Sequence, residues 1–235
     1  MHNKVIIPKP ITIEGKYIIL KPCSPSEDGQ ELYDISHGSE EKESIWTYIY
    51  MGGATTPFPT VQAFTDVLSK RCSPVPENTV PPYIVWTIVN KATGAKMGSL
   101  SFMSIVPEHK RIEIGSVWLG KQFHNSFANT EANFLLMCYA LECLQYHRVE
   151  WKCDKRNERS KYAALKLGFT FEGTFRKHMI VNGVLRDTDW LSMTVDDWIG
   201  ENSRKHMLQK ERLKYEEEDD ERIAQWIAST KALFK

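Results

Sequence analysis

The chain has 235 residues, of which 42% are apolar and 11% aromatic; that supports a substantial core and excludes general disorder. Lys plus Arg and Asp plus Glu number 30 each, so no global charge favours nucleic acid or an anionic membrane. The five cysteines (Cys23, Cys72, Cys138, Cys143, Cys153) are odd in number and form no C-x-x-C pair, which argues against a disulfide frame or a zinc site and for free thiols in a reducing compartment.

Residues 1–10 contain Pro8 and Pro10 and no long apolar stretch, and no apolar run approaches the ~20 residues of a membrane span. The expected location is therefore the cytoplasm, with the nucleus as the other option, and no membrane partner or metal is expected. Residues 16–22 predict a first strand. Ser24-Pro25 opens a helix ending near His37-Gly38, and Gly52-Gly53, Pro57 and Pro59 mark a loop. Thr60 can cap a second helix with Val61, Phe64, Val67 and Leu68 on one face. Pro74, Pro76, Pro81 and Pro82 make a stiff exposed connection.

Residues 83–89 are almost all apolar and predict a strand covered on both faces. Further strands are expected at 97–106 and 111–119, followed by a buried helix over 129–145 with Glu131 in its first turn, where the helix dipole favours a carboxylate. Residues 148–153 alternate, with Val149, Trp151 and Cys153 on one face and Arg148, Glu150 and Lys152 on the other. Asn157 can cap a short helix ended by Gly168. Strands at 169–179 and 184–195 are joined through Asn182-Gly183, the strongest short-range hairpin signal in the chain. After Trp198 the composition changes: 201–222 is dense in charge, and Ile223, Trp226, Ile227 and Leu233 then recur at roughly helical spacing. This stripe predicts a C-terminal helix that docks on the domain or pairs two copies as a homodimer.

A strand–helix–strand unit inside a meander predicts an α/β (α+β) fold: a mixed, mostly antiparallel central sheet of about seven strands flanked by helices, plus the C-terminal helix. In this order the segments Glu113-Ile114-Gly115, Trp118-Leu119, Asn129-Thr130-Glu131-Ala132, Arg148-Val149-Glu150-Trp151-Lys152, Asn157-Glu158-Arg159-Ser160, Leu167-Gly168-Phe169, Glu172-Gly173 and Arg186-Asp187 resemble the GNAT superfamily of acetyltransferases, in the branch of the ribosomal-protein N-terminal acetyltransferases. The resemblance covers residues 16–198 as a GNAT N-acetyltransferase domain and leaves 199–235 as a charged helical extension.

The resemblance implies acetyl-CoA as co-substrate. Its pyrophosphate is expected at 122–130, where a loop feeding a helix N-terminus offers unpaired amides to an anion. The residues concerned are His124, Asn125, Ser126, Phe127, Ala128, Asn129 and Thr130. The two glycines usual in that loop are absent here, so the amides serve a phosphate only if Asn125 accepts a left-handed conformation. The thioester carbonyl is expected against backbone N–H groups of Val117, Trp118 and Leu119. By resemblance Asn157 touches the pantetheine arm and Ser160 protonates the departing sulfur, the alternatives being a plain helix cap and a solvated hydroxyl. The tyrosine that many family members use instead is Ala164 here, and a glutamate of the ribosomal enzymes is Met179. Glu113 lies in an otherwise apolar strand and is either a base or half of a salt bridge with Arg111 or a neighbouring strand. An acetyl-cysteine route through Cys153 is the minor covalent alternative.

The expected function is direct acetyl transfer from acetyl-CoA to a primary amine, on a small molecule or a protein N-terminus. The alternative is a catalytically weak GNAT-like module that binds CoA or a protein, which the missing glycines and Met179 favour. The basic run Lys152-Cys153-Asp154-Lys155-Arg156 fits the cofactor's phosphates better than nucleic acid.

Overall fold

The computed structural model describes residues 6–51, 54, 56–200 and 203–234; the loop marker Gly52-Gly53, residues 1–5 and the start of the charged tail, Glu201-Asn202, lie outside the described residues. In chain order the strands are β1 (Ile13–Glu14), β2 (Ile18–Pro22), β3 (Tyr83–Asn90), β4 (Lys96–Val106), β5 (Arg111–Leu119), β6 (Arg148–Asp154), β7 (Thr170–Val181) and β8 (Val184–Thr194). The helices are α1 (Pro25–Asp34), α2 (Glu40–Glu43), α3 (Val61–Arg71), α4 (Ala128–Met137), α5 (Glu158–Lys166), α6 (Val195–Trp198), α7 (Arg204–His206) and α8 (Glu217–Ala232).

All eight strands form one sheet in the order β1-β2-β3-β4-β5-β6-β8-β7. Every neighbouring pair is antiparallel except β5 and β6, so the sheet is mixed and mostly antiparallel as expected. The strand beyond the expected seven is β1, a two-residue piece pairing with β2. Its sequence is too short to show a period of two.

Both faces are covered. On one side α4 is buried nearly all round, with Phe134, Leu135, Leu136 and Met137 fully buried against the sheet. Its C-terminal part, Cys138–Cys143, widens into a π-helical stretch, which periodicity does not reveal. On the other side α1, α3 and the helical turn at Ser44–Tyr48 enclose a second cluster of Leu32, Trp46, Phe58, Phe64, Leu68 and Trp118. The β7–β8 hairpin turns where predicted: Asn182 and Gly183 both have positive φ, 50° and 77°, as a two-residue hairpin of this type requires.

The tail is not one helix. α7 runs into a π-helical stretch at Met207–Arg212, and α8 begins after a break. Ile223 and Ile227 enter the same core as α4, and Trp226 packs against its edge. Leu233 departs from the expected stripe: it is 62% exposed, because α8 ends at Ala232 and the turn points Phe234 inward instead. The chain thus covers with its own domain the apolar face that suggested pairing of two copies.

A second lock fixes the tail. The carboxylate of Glu131, in the first turn of α4, accepts the main-chain N–H groups of Lys16 at 2.6 Å and of Tyr17 and Ile18 at 2.9 Å, and the hydroxyl of Tyr215. Gly15 leaves the room, since a Cβ there would stand 2.6 Å from the Glu131 carboxyl carbon. Burial raises the pKa of Glu131, while the four donors oppose that shift.

Candidate active site

β5 and β6 pair only through Arg111–Arg148, Ile112–Val149 and Glu113–Glu150, and then part. From Ile114 onward the edge of β5 that faces β6 carries no strand. Its other edge is distorted, with the register against β4 slipping between Ser99 and Ser101 and Ser116 adopting a φ of 51°. Where the strands diverge a cleft of about 850 Å³ opens between β5, β6, the loop before α4 and the start of α5.

Of the residues expected to hold the co-substrate, Val117, Trp118, Leu119, His124, Asn125, Ser126, Asn129, Thr130, Asn157 and Ser160 all line this cleft. Phe127 and Ala128 do not: the Phe127 ring stacks on Tyr17 at 4.2 Å, and Ala128 is fully buried beneath the helix start. The side chain of Trp118 belongs to the second core, 5.1 Å from the ring of Trp46, so the strand backbone is its main contribution to the cleft.

The loop before α4 has the conformation that its missing glycines put in question. Asn125 takes a φ of 61°, and no side chain caps α4 at Phe127. His124 Nε2 lies 3.0 Å from the Leu119 carbonyl, closing the loop onto the end of β5. Burial, and secondarily the Arg159 guanidinium, hold His124 below the usual imidazole range. Arg159 and Lys166 also line the cleft and place two cations on one face of α5. Their spacing of two helical turns carried that signal in the sequence.

Asn157 caps α5 by accepting the Ser160 N–H at 3.1 Å. Ser160 is not a free surface hydroxyl: its Oγ accepts from Trp151 Nε1 at 3.0 Å, which leaves its own proton to donate. Cys153 stands beside it and is buried, and burial raises its thiol pKa while the Ser160 contact works the other way. A thiol held protonated is a poor nucleophile, which disfavours the acetyl-cysteine route.

Glu113 is 5% exposed and forms the interstrand salt bridge that was one of its two readings, though with Lys152 of β6, not with Arg111. Its Oε2 meets Lys152 Nζ at 2.7 Å and accepts from Ser104 Oγ at 2.8 Å. Among the described residues its Oε1 has no hydrogen-bond partner and faces Gly115. The pair joins a chain of charges, because Glu150 receives Arg111, Arg148 and, at 3.9 Å, Lys152. Lys152 also lies 4.2 Å from the centre of the Trp190 ring. Sequence alternation set Glu150 and Lys152 on the face opposite Val149, Trp151 and Cys153, and there Glu150 is buried. Among the described residues no cluster of three or more His, Cys, Asp or Glu side chains is arranged to hold a metal, and no helix is long and apolar enough to cross a membrane.

The sheet thus parts at its one parallel pair, and the starts of two helices, α4 and α5, border the cleft that opens there. Residues 18–170 match the acetyltransferase (GNAT) domain, and the chain belongs to the GNAT acetyltransferase family. It superposes with a TM-score of 0.76 on the crystal structure of a GCN5-related N-acetyltransferase from Brucella melitensis, at 34% identity over 86% of this chain and 85% of that one. It is 32% identical over 108 residues to a putative ribosomal N-acetyltransferase of Bacillus subtilis, covering 46% of this chain and 58% of that protein. An uncharacterized N-acetyltransferase of the same organism is 31% identical over 110 residues, covering 47% and 62%. The chain thus spans about three fifths of the length of these two curated relatives.

Proposed function

We propose that the chain transfers an acetyl group from acetyl-CoA directly to a primary amine within a ternary complex, and that residues 16–198 carry this activity with 199–235 as a packed extension. The observation that carries the reading is the parting of β5 from β6 beyond Glu113 and Glu150, which frees one edge of β5 beside Ser160.

Acetyl-CoA supplies an activated thioester, and the residues present suit it. The α4 start with left-handed Asn125, flanked by Arg159 and Lys166, suits the pyrophosphate. The free edge of β5 at Val117–Leu119 offers main-chain N–H groups to the thioester carbonyl. Asn157 holds the start of α5 in place, and Ser160 Oγ, its lone pair engaged by Trp151, presents its proton to the departing sulfur. Glu113 Oε1, directly or through a water, receives the proton that the amine sheds, while Lys152 and Ser104 fix the carboxylate through its other oxygen.

Release of free thiol from acetyl-CoA, followed against a panel of small amines and N-terminal peptides, tests the proposal. Turnover with any amine supports transfer. Tight CoA binding without turnover across the whole panel favours the weak binding module instead.

A further inference from the structure

The acceptor is open, and the charges facing it restrict the choice. Cross-strand register sets Glu113 beside Glu150, Lys152 beside Trp190 and Asp154 beside Thr188, so these side chains share the face of the sheet away from α4. Arg186 lies two residues before Thr188 on β8, on the same face, opposite Met179 of β7. Arg186, Thr188, His178 and Met179 all line the cleft.

Arg186 stands out because no group among the described residues receives it. Its Nε is buried without a hydrogen-bond partner, and among the described residues it forms no ion pair. Its charge nonetheless reaches Cys153 and Asp154. The nearby carboxylates are all committed elsewhere. Asp154 is held by Arg156 at 2.7 Å, Asp187 accepts the Lys177 N–H at 2.7 Å, and Asp189 binds Lys161 at 2.8 Å and Thr174 at 2.6 Å. A buried guanidinium N–H without an acceptor is costly, and a planar fork of donors suits a carboxylate. The opposite charge is scarce: Glu113 is the one carboxylate among the described cleft-lining residues, and Lys152 already neutralises it. A polyamine's second and third ammonium groups would meet Arg186 and Lys152 with no free carboxylate to receive them.

We infer that the acceptor is a primary amine carrying a carboxylate close to its nitrogen, and that Arg186 is the residue that grips that carboxylate. The inference rests on the acetyl-transfer reading and narrows it. The shared chemistry occurs in a free amino acid and in a peptide whose first residue is acidic.

The experiment compares kcat/KM for matched amines that differ only in the carboxylate, tryptophan against tryptamine and tyrosine against tyramine. Peptides beginning with Asp against Asn, and spermidine, complete the panel. In the wild type the carboxylated member is expected to lead by about 10- to 10²-fold, the worth of charge-assisted hydrogen bonds to a half-buried guanidinium. Arg186→Ala should collapse that ratio towards unity, and Arg186→Lys should restore part of it. Preference within the amino-acid pair, the Asp/Asn peptide pair or both identifies the source of the carboxylate. Equal rates within every pair, or preference for spermidine, would overturn the inference. Calorimetry separates this from failure of the transfer reading. If no amine is turned over, tryptophan binding more tightly than tryptamine in an Arg186-dependent way still upholds the carboxylate site, and equal binding refutes it.

Discussion

Replacing Ser160 with Ala isolates one atom of the proposed mechanism. The cap on α5 survives, because Asn157 receives the Ser160 main-chain N–H and not its side chain. What is lost is the hydroxyl that accepts from Trp151 Nε1. Trp151 is buried, so its N–H is stranded, and stability should fall by about 1–3 kcal/mol. The catalytic effect is separate. A proton delivered to the sulfur is needed only as the C–S bond breaks, so its loss should lower kcat and leave the Kd for acetyl-CoA nearly unchanged. General acids are typically worth ~10²–10⁴-fold, and the lower end is expected here because a thiolate already leaves readily and water can substitute. The assay is single-turnover transfer at saturating acetyl-CoA and amine, well below the variant's melting temperature. Trp151→Phe is the companion variant: it keeps the hydroxyl but removes its orienting donor, so it should retain more of the rate than Ser160→Ala. Equal single-turnover rates for wild type and Ser160→Ala would remove Ser160 from the chemistry and leave it as a partner for Trp151.

Glu131→Ala should be among the most destabilising single changes in the chain, since it strands three main-chain N–H groups and the Tyr215 hydroxyl; at about 1–3 kcal/mol per buried donor the loss over the four is at least about 4 kcal/mol. Urea unfolding measures it, and a loss below about 1 kcal/mol would show that water replaces the carboxylate. His37 predicts a pH dependence. Its Nε2 accepts the Phe58 N–H at 3.0 Å, so the folded ring must be neutral there; burial lowers its pKa below the ordinary 6.5, against weaker opposing contributions from Tyr33 and Glu43. The unfolded state therefore binds more protons, so this contribution is present above pH 6.5 and is lost as pH falls through the folded-state value. Thermal unfolding across that window should show the slope, and His37→Gln should flatten it; an unchanged slope in the variant assigns the dependence to another group.

Local signals were legible wherever one stretch of chain decides the outcome alone. Asn182-Gly183 needs no distant partner to turn a hairpin, an almost wholly apolar run such as residues 83–89 must be covered on both faces, and Asn125 is a residue type that tolerates the left-handed conformation the loop demands. The same locality explains what stayed hidden. Glu131 looked like a dipole-favoured residue at a helix start, whereas its work is done on amides 113 to 115 positions earlier in the chain. Glu113 had two readings that only the β5–β6 register separates, because Lys152 reaches it from the next strand and leaves one oxygen open. Arg186 was visible only as part of a family-like dipeptide; that it is unpaired follows from where Asp154, Asp187 and Asp189 spend their oxygens, and each finds its partner through the fold. Composition balanced the charges of the whole chain at zero, but folding pairs the carboxylates nearest the cleft and, among the described residues, leaves the Arg186 guanidinium there without a partner. The sign of charge offered to a substrate is therefore set by which pairs the fold completes, and at this site it favours an acceptor that brings a negative group.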